Sequence, residues 1–152
     1  MSVLEDLSTI NLREPDGAFG LRLEHISPRD FATGHAPSYH FAIEVDGVRV
    51  GAIRLRVGNE PELILYVGHV GYAVDPLFRG HGYARRACQL IMSLARLNGM
   101  QVIWITCNPD NFASRRTCER LGATYVDTVD IPATHLMFHE GDTKKCRYRY
   151  DL

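Results

Sequence analysis

No stretch of the 152-residue chain comes near the about 18 consecutive apolar residues that a membrane-spanning helix needs. No membrane partner is therefore expected. The opening segment, MSVLEDLSTI, has Glu5 and Asp6 and no basic stretch ahead of an apolar run, so it does not read as a secretory signal. Excess charge is missing as well: 17 Lys and Arg stand against 18 Asp and Glu, a net charge of −1. That balance argues against a strongly electrostatic nucleic-acid binder, and no nucleic-acid partner is expected. The four cysteines, Cys88, Cys107, Cys118 and Cys146, form no C-x-x-C pair. Such spacing suits neither a disulfide frame nor a zinc site, and reduced thiols in a cytoplasmic protein are the expectation. His135, His139 and Glu140 give H-x-x-x-H-E rather than H-E-x-x-H, so no metal is expected and their loop reads as a surface cover. Internal repeats and low-complexity segments are absent.

What is present is an ordinary globular composition, 45% hydrophobic and 23% charged. The length suits one domain over residues 1–152, large enough to bury roughly 70% of the surface its unfolded chain exposes. Residues 12–20 hold Pro15, Gly17 and Gly20 and read as loop. LRLEHI (21–26) alternates as a first strand does, and residues 27–38 leave room for a short helical turn. YHFAIEV (39–45) and VRVGAIRLRV (48–57) flank Asp46-Gly47, which predicts a hairpin with a type I′ turn. ELILYVGHVGYAV (62–74) predicts one long strand, bent where Gly68 and Gly71 weaken it. From Gly82 to Asn98 the period changes: Ala84, Ala87, Cys88, Ile91, Leu94 and Ala95 recur at helical spacing and Gly99 supplies a stop. QVIWITC (101–107) predicts a buried strand, residues 111–121 a second helix stopped by Gly122, and residues 124–129 and 144–150 two final strands. Antiparallel strands followed by β-α-β-α-β-β predict a mixed sheet with helices packed on it.

The chemistry concentrates at DPLFRGHGYARRA (75–87), where Gly80 and Gly82 follow a strand and open a helix. Unsatisfied N–H groups and roughly half a positive charge at a helix start suit a phosphate. A Walker loop needs G-x-x-x-x-G-K-[ST], which the chain lacks. A dinucleotide fingerprint needs a third glycine where Arg85 stands, and an acid about 20 residues on where the strand 102–107 has none. A tight strand-to-helix turn without a ligand is the competing structural reading of the two glycines.

The third pattern, R-x-x-G-x-A, fits as Arg79, Gly82 and Ala84. In that form the segment resembles the pyrophosphate loop of the GNAT acetyltransferase superfamily, VDP-x-x-RGxGYA. NPDNFASRRTCERLGA (108–123) is similar to the second signature of that superfamily, N-x-x-S or N-x-x-A before an amphipathic helix ending in Leu-Gly. The matching region runs over about residues 64–129. The resemblance implies an α+β fold with a mixed, mostly antiparallel sheet, a splayed parallel strand pair and flanking helices. It implies acetyl-CoA as acetyl donor, with the pyrophosphate on Arg79, Gly80, His81, Gly82, Tyr83 and Ala84. The pantetheine arm would pair with the strand end at Ala73 and Val74 and meet Asn111 and Ser114. Any one of Arg85, Arg86, Arg115 and Arg116 would meet the 3′-phosphate of CoA, or all four simply face solvent. The activity implied is N-acetyl transfer by direct attack in a ternary complex. The acceptor would be a small-molecule amine or a peptide N-terminus, and the protein a monomer or homodimer. A binding or sensing module of the same fold, holding acyl-CoA without turnover, is the alternative.

Two family positions differ. The residue seven after Asn111, where many members place a tyrosine near the CoA sulfur, is Cys118, and the residue five before it, a glutamate in several relatives, is Thr106. His69 remains as a base acting through water, against a structural reading in which it is bonded within the sheet. Glu62, Tyr66 and Tyr72 are weaker candidates. Asn111, Ser114, Arg115 and Cys118 fall at i, i+3, i+4 and i+7. Either Cys118 or Ser114 would then protonate the leaving thiolate, unless Cys118 is a small apolar residue packed on the sheet.

Overall fold

The computed structural model describes residues 4–30 and 32–152. Met1–Val3, the start of the opening segment, and Phe31, within the expected 27–38 turn, lie outside the described residues. Among the described residues, seven strands and three α-helices follow in chain order: β1 Phe19–Ser27, β2 Ser38–Val45, β3 Val48–Arg56, β4 Val70–Val74, α1 Tyr83–Leu97, β5 Val102–Cys107, α2 Phe112–Leu121, β6 Thr124–Asp130, α3 Leu136–His139 and β7 Lys144–Asp151. They form two antiparallel sheets, ordered β1-β2-β3-β4 and β5-β7-β6.

The hairpin forms as its sequence predicts. Asp46 (φ 50°) and Gly47 (φ 79°) both take the positive angles of a type I′ turn, whose twist matches the flanking strands. The helix α1 turns Ala87, Cys88, Ile91, Met92, Leu94 and Ala95 inward, where they join Phe41, Ile53 and Leu55 of the first sheet and Ile103 and Ile105 of the second in one core. Each such Ile or Leu contributes roughly 1.5–3 kcal/mol by leaving water. Between β1 and β2 the described residues hold turns rather than a helix, with Asp30 Oδ1 accepting from the Ala32 and Thr33 amides.

The long strand expected at 62–74 is not formed. Only its second half is β4, and Leu63–Val67 is a π-helical turn. Pro61, with no N–H to lose, suits a helix start. Side chains from three strands then secure the backbone of the turn: Thr106 Oγ1 donates to the Tyr66 carbonyl (2.8 Å), Arg147 Nε to Ile64 (3.2 Å) and Arg56 Nη1 to Gly68 (3.2 Å). These contacts are nonlocal, and they outweigh the local strand preference of Ile64, Tyr66 and Val67.

His69 joins the two sheets. Its backbone N–H donates to the Trp104 carbonyl (2.7 Å), and its Nδ1 accepts from the Trp104 N–H (2.9 Å). That bond assigns the ring proton to Nε2, which donates to the Gly58 carbonyl (2.9 Å). Beyond this point no ladder joins β4 to β5 among the described residues, so the strand pair expected to splay is parted along its whole length.

The imidazole is 1% exposed, and burial, its main cause, holds its pKa below the ordinary 6.5. Below that pH the unfolded chain takes up a proton that the folded ring refuses. Stability is thus fully present above about pH 6.5 and is lost as pH falls, by at most about 1.4 kcal/mol per pH unit for this group. Urea unfolding near pH 7 and near pH 5 should show a lower midpoint at the acid end, and His69→Gln should reduce the difference. An undiminished difference in the variant would remove His69 as its source.

Candidate active site

A cleft of about 850 Å³ opens where β4 and β5 part. Its walls are β4 from Val70 to Val74, the loop and helix start from Phe78 to Arg85, the end of β5 with Asn108, and Asn111, Ala113, Ser114, Arg116, Thr117 and Arg120 at and along α2. The glycine-opened loop and the second signature thus meet in one cavity.

At the loop, Gly80 (φ 90°) and Gly82 (φ 74°) take backbone angles that a Cβ disfavours. A Cβ on Gly80 would meet nothing within 4 Å, and one on Gly82 only the tip of Arg85 at 4.0 Å. The space above these residues is open. Gly82 is the N-cap of α1, so the amides following it start a helix with no acidic side chain in its first turn. Arg79 Nε donates to the Val74 carbonyl (2.9 Å), tying the loop to the end of β4.

The exposed edge of β4 follows from strand alternation. Asp75 N–H bonds the Val50 carbonyl (2.8 Å), and the Ala73 oxygen points at β3, 2.3 Å from where a Gly51 Cβ would stand. The polar backbone of odd-numbered residues is therefore directed to β3, and that of Tyr72 and Val74 to the cleft. Of the two residues expected to offer their backbone, Val74 therefore faces the cleft and Ala73 does not, whereas Tyr72, outside that expectation, does. Ala73 still lines the cleft, without offering its backbone, and Val74 keeps its place with its N–H.

Asn111 is the N-cap of α2, where its Oδ1 accepts from the Ser114 N–H (3.1 Å), and it lines the cleft as well. Ser114 Oγ faces Tyr72 Oη at 2.7 Å, a bond across the cleft floor. Burial, the largest cause, drives the Tyr72 phenol well above its usual range, so it stays a neutral donor.

Two expected catalytic residues are withdrawn. His69 has both ring nitrogens bonded and faces a separate cavity with Gly58 and Trp104, so it has no lone pair for a substrate proton. Cys118 is fully buried and does not line the cleft. Burial pushes its thiol up to about 12. The packed-cysteine reading holds, because Cys118 joins the hydrophobic core beneath Tyr72 despite its i, i+7 spacing from Asn111. Arg115 is engaged with the Tyr148 hydroxyl (3.1 Å) and the Pro109 carbonyl (3.1 Å). Arg86 pairs with Glu14 and stacks on Phe19. That leaves Arg85 and Arg116 of the four arginines on the cleft. Glu62 approaches His135 (3.8 Å) and Tyr66 packs edge-on to the same ring; neither lines the cleft.

The sequence points to Arg79, Arg85 and Arg116 but not to Arg56, Arg120 and Lys145. Among the described residues, Arg56, Arg79, Arg85, Arg116, Arg120 and Lys145 line the cleft, and no Asp or Glu does. Lys145 is met by Asn108 Oδ1 (2.7 Å) and Asp142 (3.6 Å) from behind. The charge comes from β3, from the glycine loop with the first turn of α1, from α2 and from β7, four places far apart in the chain, so no single run of basic residues announces it. Among the described residues, no group of three or more His, Cys, Asp or Glu is placed to hold a metal, and no helix is long and apolar enough to cross a membrane.

Comparison with known proteins places this architecture. No curated protein matches the sequence. Among solved structures, the acetyltransferase of Salmonella typhimurium that modifies the N-terminal serine of ribosomal protein L7/L12 matches at 20% identity and TM-score 0.59, over 80% of this chain and 66% of that one. Microcin C7 self-immunity acetyltransferase MccE, solved with acetyl-CoA and AMP, matches at 17% identity and TM-score 0.58, over 76% and 61%. Mycobacterium smegmatis RimJ, solved with CoA-disulfide, matches at 18% identity and TM-score 0.59, over 79% and 55%. The chain thus spans between about half and two thirds of the length of these structures, and the likeness is one of fold. The family described as Acetyltransferase (GNAT) family matches residues 4–123. With most of its length inside that match, the chain belongs to the GNAT acetyltransferase family.

Proposed function

We propose that the cleft binds acetyl-CoA and that the protein transfers the acetyl group to an amine by direct attack in a ternary complex. The observation that carries this reading is the cleft's composition: a glycine-opened helix start and six cations with no carboxylate, continuous with an unpaired strand edge. A diphosphate joined to an extended diamide arm matches both halves. The amides after Gly82 and the side chains of Arg79 and Arg85 would hold the pyrophosphate. His81, Tyr83 and Ala84 complete that wall. The backbone of Tyr72 and the N–H of Val74 would pair with the arm, and Asn111 Nδ2, left over from capping, would bond an arm carbonyl. Arg116 or Arg120 would meet the 3′-phosphate. The structural neighbours solved with acetyl-CoA or CoA support this assignment. Those that act on a protein N-terminus support an amine acceptor, either a peptide N-terminus or a small molecule.

When bound, acetyl-CoA supplies an activated acyl group and a thiolate leaving group. The Tyr72 N–H is placed to donate to an oxygen that gains charge. Ser114 Oγ would give a proton to the departing sulfur and regain one, through cleft water, from the proton the attacking amine releases; the Tyr72 phenol bonded to it holds the hydroxyl in place and stays neutral throughout.

A second reading, an acyl-CoA binding module without turnover, is favoured by one observation: no carboxylate or unengaged histidine base other than the exposed His81 lines the cleft. Thiol release from acetyl-CoA with a panel of amines separates the two, since a binding module releases none.

Gly82→Glu places bulk and negative charge on the helix start. Calorimetry should show loss of CoA binding while circular dichroism remains that of the folded protein; unchanged affinity contradicts the assignment. Ser114→Ala should lower kcat by about 10²-fold with little change in acetyl-CoA affinity, and Tyr72→Phe by less. Wild-type kcat in Ser114→Ala would mean that the thiolate takes its proton from solvent.

A further inference from the structure

We infer that Arg56 is the anion-binding residue of the acceptor site, so that the amine acetylated carries a carboxylate or a phosphate close to its nitrogen. The inference rests on the acetyl-transfer reading above.

Arg56 ends β3 and lines the cleft with Val67, Val70, Gly71 and Thr106. This is the far end of β4 from the glycine loop. The five residues of β4 separate the two ends by about 13 Å of strand. If the pyrophosphate sits on the loop and the arm runs along Tyr72 and Val74, the end at Gly71 is where the thioester stops and the acceptor begins. The guanidinium lies close over Gly71: a Cβ there would stand 3.4 Å from Nη1 and 3.7 Å from Nη2. The charge thus lies in van der Waals range of the β4 backbone at Gly71 and faces the cavity.

No acidic partner is in place for this charge. Arg79, Arg116 and Arg120 are exposed and Arg85 stands in the first turn of α1 at the glycine loop, whereas Arg56 is partly buried at the opposite end of β4. Among the described residues, the guanidinium makes one hydrogen bond, from Nη1 to the Gly68 carbonyl (3.2 Å), and no carboxylate pairs with it. Burial first, and the neighbouring Arg54 second, lower its pKa to about 10, which still leaves it charged at neutral pH. A desolvated cation with most of its five donors unspent is costly in the free protein. A ligand anion offsets that cost, and a guanidinium takes carboxylate and phosphate alike through paired N–H bonds.

The same charge serves the reaction in two ways. Bidentate binding of the acceptor's anion orients the amine towards the thioester end. A fixed positive charge close by also disfavours the ammonium form of that amine. The neutral nucleophile is thereby favoured in a cleft without a carboxylate base. Amines that carry only positive charge, such as polyamines, are repelled by the same residue.

The test uses the full chain loaded with CoA, and glycine, β-alanine and aminomethylphosphonate against glycinamide and ethylamine. Calorimetry reads binding to the CoA complex, and thiol release from acetyl-CoA reads turnover. The acidic amines should bind at least about 10-fold tighter than the uncharged-tail amines. Arg56→Ala should abolish that preference through KM, and Arg56→Lys should retain part of it. Comparison of glycine and β-alanine with the phosphonate identifies which anion the site takes. Glycinamide binding as well as glycine would overturn the inference, and so would a preference that survives in Arg56→Ala. An equal loss of kcat for acidic and neutral amines in that variant would also overturn it, because Arg56 would then act on the thioester. Acetyl-CoA binding without any anion preference sinks this inference alone; failure to bind acetyl-CoA sinks the acetyl-transfer reading on which it rests.

Discussion

The architecture depends on one buried imidazole. His69 stands where β4 and β5 would otherwise begin a parallel ladder, and it gives and takes bonds on both sides of the gap. It closes the base of the strand pair with both backbone and side chain. Above it the strands part, and the polar groups of Tyr72 and Val74 face a cavity instead of a neighbouring strand. An unpaired strand edge inside a fold is expensive unless something covers it. The cleft therefore has the form of a site awaiting an extended ligand, and His69 contributes by holding the strands together rather than by moving a proton.

A chain of net charge −1 concentrates six cations on one cavity and keeps its carboxylates elsewhere. Glu14 and Glu44 neutralise arginines away from the cleft, so local rather than overall charge decides what the cavity attracts. The same electropositive environment bears on catalysis. Under the proposed acetyl transfer, this field would disfavour the ammonium form of an acceptor amine and would stabilise the departing thiolate. The absence of a carboxylate base and the presence of unspent cationic charge are two consequences of one arrangement.

The hairpin, both long helices and the last three strands are legible in the sequence because their signals are local: Asp46-Gly47, the apolar period of α1, and Gly99 and Gly122 as stops. The glycine loop and the Asn111 signature are legible for the same reason. The π-helical turn at Leu63–Val67 is not, since the side chains of Arg56, Thr106 and Arg147 that secure it come from three distant strands. Cys118 shows the limit of spacing arguments. A separation of seven residues places it two turns from Asn111 but does not say that the helix turns that position into the core. His69 is read correctly in its structural alternative and wrongly as a base, a distinction that depends on Gly58 and Trp104. Arg56 carries no sequence signal at all: it is one arginine in an alternating strand, and only the fold makes it the inner cation of the cleft.

A crystal structure of the protein with CoA tests the central claim most directly. The account predicts the pyrophosphate on the amides following Gly82 and the pantetheine arm paired with the backbone of Tyr72 and Val74, its sulfur near Ser114 at the Arg56 end. CoA bound elsewhere, or an arm that leaves the β4 edge unpaired, would contradict it.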